Sequence, residues 1–143
     1  MQRFHLILAL FLMHSSLAHA TEDSVPASFT EGVRYYHAQD FAAAVKEFKV
    51  ATTVVPTNDE YAHWLGKAYG RQAERAAWFK AIKLAKLSRA ALERAVELNP
   101  QNWDAVHDLA RYYTAAPGFL GGDRLKADAL RARLKTAPGH EAP

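Results

Sequence analysis

Gly32-Val33-Arg34-Tyr35-Tyr36-His37-Ala38-Gln39-Asp40-Phe41-Ala42-Ala43-Ala44-Val45-Lys46-Glu47-Phe48-Lys49-Val50-Ala51-Thr52-Thr53-Val54-Val55-Pro56 is the stretch that decides the architecture, because its punctuation returns. Gly32 and Tyr35 recur as Gly66 and Tyr69, 34 positions on. Pro56-Thr57-Asn58 recurs as Pro100-Gln101-Asn102, 44 positions on, the same period with ten residues inserted. A helical pattern repeating at that interval is the signature of stacked helical hairpins, each too small to bury its apolar face alone. The reading is an all-α chain built to present a surface.

Working outward, 143 residues with half of them apolar suit one domain. There is no cysteine, which excludes disulfides, thiolate metal sites and a thiol nucleophile. The net charge of +3 is spread along the chain, without the concentrated basic face of a nucleic-acid binder. The N-terminus reads differently from the rest. Arg3 precedes the apolar run Leu6–Met13, and Ala18-His19-Ala20 closes the segment. A basic start, a short apolar run and an A-x-A site predict a secretory signal peptide over residues 1–20, cut before Thr21. The run is far shorter than the roughly 20 residues that span a bilayer. An exported protein of residues 21–143 is expected, periplasmic if the source is Gram-negative.

Along the chain, Ser24 ahead of Val25-Pro26 is a plausible helix start. Phe29, Val33 and Tyr36 recur at helical spacing. Asp40 is placed to cap a second helix over about 41–54, with Phe41, Ala44, Val45, Phe48 and Ala51 on one stripe. Pro56 ends that helix, since proline pushes the preceding residue out of helical geometry. The second unit carries Ala62, Leu65, Gly66, Ala68 and Tyr69 in its first helix. Ser88, Leu92 and Ala95 then take the places of Ala44, Phe48 and Ala51. The ten extra residues fall between Gly70 and Ser88, on a lengthened hairpin bearing Trp78 and Phe79. Both aromatics are expected to cover the end of the core, the other options being a partner-docking patch or a contact with a second copy. The third unit has Asn102 as cap, then Trp103, Val106, Leu109, Ala110 and Tyr113. After the loop Ala115–Gly122, Asp123 caps a last helix over 124–137 with Leu125, Ala127, Leu130 and Leu134 facing inward. Residues 138–143 are expected to be a disordered tail.

Gly32, Tyr35, Phe41, Ala44, Phe48, Ala51 and Pro56, with the Leu65-Gly66 pair, resemble the tetratricopeptide repeat, over units of about 25–58, 59–102 and 103–137. The lengthened second hairpin and the Ala-Pro-Gly-x-x-Gly-Gly loop look like a group of small exported bacterial repeat proteins. The resemblance implies a short right-handed solenoid whose first helices line a concave groove for a peptide segment or a partner helix. On that expectation the groove presents Phe29, Val33, Tyr36 and His37, then His63, Trp64, Lys67 and Arg71, then His107, Asp108 and Arg111. Aromatics anchor interfaces and cations hold anionic oxygens, so an apolar segment carrying a carboxylate would suit it. Val33 and Trp64 stand where the family's chaperone-tail clamp needs polar residues, which disfavours that ligand.

Chemistry beyond binding has weaker footing in the residues. His37, His63 and His107, with Asp108, raise a metal site, but one histidine per hairpin, about 10 Å apart, opposes convergence to within about 2 Å of one ion. No cofactor or metal is expected. Gly118, Gly121 and Gly122 match neither common phosphate-binding spacing; they are read as allowing positive φ in a tight connection, with Phe119 and Leu120 tucked onto the core. Ser28 and Ser88 have no evident base beside them. Lys80, Lys83 and Lys86 with Arg75 and Arg89 read as a solvated cationic stripe. The expected role is a non-catalytic adaptor or assembly factor for another exported protein. The alternatives are a binder of small anions, a weak hydrolase using His63, His107 and Asp108, or a self-associating structural protein.

Overall fold

Six α-helices and one short 3₁₀ turn make up residues 25–138, the part of the chain that the computed structural model describes. The helices are α1 (Ala27–His37), α2 (Phe41–Val54), α3 (Asp59–Glu74), α4 (Trp78–Leu98), α5 (Trp103–Ala115) and α6 (Arg124–Lys135), with the 3₁₀ turn at Gly118–Leu120. No strand occurs among the described residues, so the all-α expectation holds. Helices pack chiefly against their neighbours in sequence, from α1 on α2 through to α5 on α6, with a lighter contact between α1 and α3. This is an all-α helical-repeat fold. The signal segment 1–20, Ser24 and residues 139–143 lie outside the described residues.

Local chemistry explains where the helices begin and end. Asp40 accepts from the Ala43 amide at 3.0 Å, Asn58 from Tyr61 at 3.0 Å, Asn102 from Ala105 at 3.0 Å and Asp123 from Lys126 at 3.1 Å. Each thereby satisfies one of the orphan amides of a first turn. Helix α1 starts at Ala27 with Pro26 at the capping position and no side-chain cap. Val55 and Asn99, the residues before Pro56 and Pro100, leave the helical region at φ −128° and −140°. Both second helices therefore stop by the same device, 44 positions apart.

The small residues explain why the helices approach so closely. A Cβ on Gly32 would lie 2.6 Å from two ring carbons of Phe48, which is fully buried. A Cβ on Gly66 would lie 2.8 Å from Leu92 Cγ and 3.2 Å from its backbone nitrogen. The neighbour that excludes a side chain is thus the large residue of the facing helix, Phe48 in one hairpin and its counterpart Leu92 in the next. Ala44, Phe48 and Ala51 are buried, as are Ser88, Leu92 and Ala95. The core runs along the chain from a cluster around Phe48 and Tyr69, through Ala62, Ala95 and Ala105, to one around Leu109, Tyr113 and Ala127.

Several local expectations are corrected. Leu125 is 83% exposed instead of facing inward. Ala127, Leu130 and Leu134 share a stripe, and at about 100° per residue a position two before Ala127 points to roughly the opposite side. Trp78 and Phe79 do not cover the core: the inserted residues give a break at Arg75–Ala77 and a 21-residue α4 whose first turn projects them, 65% and 86% exposed. Phe119, expected to be tucked in, is 59% exposed and lies 6.4 Å from Trp78, ring to ring. Of the three loop glycines only Gly121 has positive φ, at 87°. Gly122 is needed for space, since a Cβ there would sit 1.7 Å from the Ala116 carbonyl oxygen. The turn from α1 to α2 uses a left-handed residue that is not glycine, Gln39 at φ 61°.

Candidate functional site

The first helix of each pair, α1, α3 and α5, contributes to one cleft of about 320 Å³ whose walls include Tyr36, Lys67, Arg71, Asp108, Arg111 and Tyr112. Helical spacing puts Lys67 and Arg71 one turn apart on α3, and Asp108, Arg111 and Tyr112 on one side of α5. Gly66 and Gly70 line its base. Ser88 and Leu92 of α4, nested against these two glycines, complete the base.

Behind the cleft wall, the buried His63 donates from Nε2 to Asp108 Oδ2 at 2.8 Å, bridging α3 and α5. The other Asp108 oxygen faces His107 Nδ1 at 3.6 Å and the Arg111 guanidinium at 3.8 Å. Partial burial would raise the Asp108 carboxyl, but the hydrogen bond from His63, with Lys67 and His107 nearby, holds it below the usual carboxylate range. Arg111 and His107 stand at the rim, 73% and 60% exposed. Arg71 is ion-paired with Glu74. Burial raises the Tyr36 phenol above its ordinary value, so the Tyr36 hydroxyl meets a ligand as a neutral donor.

The aromatic end is contiguous with this one. Trp64 meets Tyr36 edge to face at 5.3 Å and Phe48 at 5.8 Å. The Lys67 ammonium lies 4.0 Å from the Trp64 ring centroid and 5.5 Å from that of Tyr36. Such contacts fix a cation over a ring face. Phe29 packs at 4.4 Å on Tyr61, and both Phe29 and Val33 are half-buried against the first core cluster. Of the eleven residues singled out from the sequence, Tyr36, His63, Trp64, Lys67, Arg71, Asp108 and Arg111 come together. Phe29 and Val33 lie beneath the aromatic end, and His107 sits at the rim. His37 is apart from the other histidines, its ring 6.1 Å from Trp64. Among the described residues, no group of three or more His, Cys, Asp or Glu side chains is arranged to hold a metal ion.

Two features escaped the sequence reading. Tyr112 lines the cleft, and its place one turn after Asp108 is the signal that would have found it. Asp59 at the start of α3 accepts from Asn99 at 3.2 Å and from Asn102 at 2.7 Å, a polar clasp between the second and third units. Ser88 also lines the cleft, but its hydroxyl donates to the Gly66 carbonyl at 2.8 Å. That bond occupies the proton a base would have to remove. Comparison of the sequence with protein-family models and with curated proteins gives no match to either.

Proposed function

We propose that the protein is a non-catalytic interaction module of the tetratricopeptide type, in which the α1–α3–α5 face binds a segment of another exported protein as adaptor or assembly factor. The six helices then form three hairpins of a short right-handed solenoid, and the signal peptide delivers the chain to the partner's compartment. The observation that carries the reading is the cleft itself. Lys67, Arg71 and Arg111 surround a base of Gly66, Gly70, Ser88 and Leu92, next to a wall of Tyr36 with Trp64 packed against it. A peptide carboxylate would meet the cations, and an adjacent apolar side chain would meet the aromatics. The hydrogen-bonded pair of His63 and Asp108 holds α3 and α5 in register, so the donors are preorganised.

Selection from a displayed peptide library, with free C-termini in one arm and internal segments in the other, tests this. Enriched peptides are expected to pair an acidic group with an apolar residue. Lys67→Glu with Arg111→Glu should weaken them at least tenfold. Enrichment that is identical on the reversed protein, or absent altogether, overturns the reading. Trp64→Ala is a poorer probe, because Trp64 also packs on Phe48. A second reading, a binder of small anions, is favoured by the cleft volume of about 320 Å³, which lies within the range of small-molecule sites. Titration with dicarboxylates distinguishes the two: saturation by a free dicarboxylate without peptide preference selects the small-anion reading.

A further inference from the structure

The inserted segment carries a second, separate surface. Between Glu74 and Glu93 there is no acidic residue, while Arg75, Lys80, Lys83, Lys86 and Arg89 fall in that interval. On α4, Leu84, Ser88, Leu92 and Ala95 are buried. Phe79, Lys83 and Lys86 follow one another at spacings of four and three on the opposite side, and all are exposed. At the same end Trp78 and Phe79 project from the first turn, and the 3₁₀ turn adds Phe119 beside Trp78. Large aromatics 65%, 86% and 59% exposed have no structural reason to be there. Neither Trp78, Phe79 nor Phe119 lines a cavity among those described, so the patch is a protrusion and not a groove.

We infer that this face docks on an anionic lipid bilayer, with Trp78, Phe79 and Phe119 entering the headgroup region and Lys83 and Lys86 pairing with lipid phosphates. Three observations favour that occupant. Protruding rings need a compliant medium, and indole and phenyl groups settle at the boundary between headgroups and acyl chains. Lys83 and Lys86 lie one turn apart on the exposed side of α4, so they meet a flat anionic surface together, each adding to the attraction. A second copy is disfavoured because a two-fold contact is self-complementary. It would bring two copies of the same cationic patch together, with no acidic residue between Glu74 and Glu93 to offset the lysines. The face lies on the exposed side of α4 and on the 3₁₀ turn, whereas the cleft draws on α1, α3, α5 and the buried side of α4 at Ser88 and Leu92, so a docked molecule keeps its cleft available.

The experiment uses purified protein, its N-terminus read by mass spectrometry, pelleted with heavy vesicles of phosphatidylcholine alone or with a third phosphatidylglycerol. Binding is expected on the anionic vesicles only and should fall as salt is raised. Lys83→Gln with Lys86→Gln should weaken it about fivefold per lysine. Trp78→Ser with Phe79→Ser should weaken it at least tenfold, with helical content unchanged by circular dichroism because both side chains are exposed. A blue shift of tryptophan emission on vesicle addition should vanish in Trp78→Phe, while that variant still pellets. Equal pelleting of wild type and variants, equal binding to neutral vesicles, or no binding overturns the proposal. A concentration-dependent dimer in light scattering that Trp78→Ser with Phe79→Ser abolishes also overturns it, and assigns the face to a second copy.

Discussion

Asp108 shows how one side chain can join two helices and tune a surface at once. Its carboxylate takes a hydrogen bond from the buried His63 and lies near the cations Lys67 and Arg111, and its protonation is shifted below the ordinary carboxylate range. A carboxylate whose folded value is lowered stabilises the protein above its unfolded value, about 3.9, and loses that contribution as pH falls through the folded value. Asp108→Asn is therefore expected to lower stability by about 1.5–3 kcal/mol at neutral pH, the range for a hydrogen bond to a charged group. The gap from wild type should close as pH drops below about 4. Urea midpoints measured from pH 7 to pH 2 check this; a gap that stays constant with pH would remove the ionised carboxylate from the explanation. The sequence put His63 and Asp108 on one groove face, but their direct contact was not legible in it. His63 and Asp108 are 45 positions apart, and periodicity within a repeat does not set the register between repeats. Gly32 and Gly66 were legible, because a small residue facing a large one is a local rule that recurs with the period.

Helix ends divide into those with one task and those with two. Asp40 caps α2 and makes no other described side-chain bond, whereas Asn102 caps α5 and also donates to Asp59 on α3. Asp40→Ala should cost about 1 kcal/mol, the usual value for a lost cap. Asn102→Ala should cost about 2 kcal/mol, because Asp59 loses a partner as well. Asn102→Asp separates the two tasks: it retains the cap but sets a second carboxylate against Asp59, and should destabilise as much as alanine does. Chemical denaturation of the three variants measures these values, and an Asn102→Asp as stable as wild type would show that the clasp contributes nothing. The caps at Asp40, Asn102 and Asp123 were readable from residue type and spacing. The faces of α4 and α6 were not, because an insertion or a loop of uncertain geometry resets the phase of the helix that follows. Leu125 and the pair Trp78 and Phe79 each lie just after such a reset.

Across the molecule, packing runs from each helix to the next, so stability should vary along the chain. Helix α3 buries six residues, from Tyr61 to Tyr69, while α6 buries only Ala127. Amide exchange followed by mass spectrometry should therefore show α6 opening well before α3, with protection lower by at least tenfold. Equal protection would mean that the six helices unfold as one unit. Neighbour-to-neighbour packing also bears on how the fold is reached. No side-chain hydrogen bond among the described residues spans more than 45 positions, and each hairpin closes over far fewer. Short closures are quick, because little chain entropy is lost before a contact forms. A polypeptide arriving one end first, from a ribosome or through a narrow pore, could settle its leading hairpin while the remainder is still in transit. Each later pair would then find a finished template waiting.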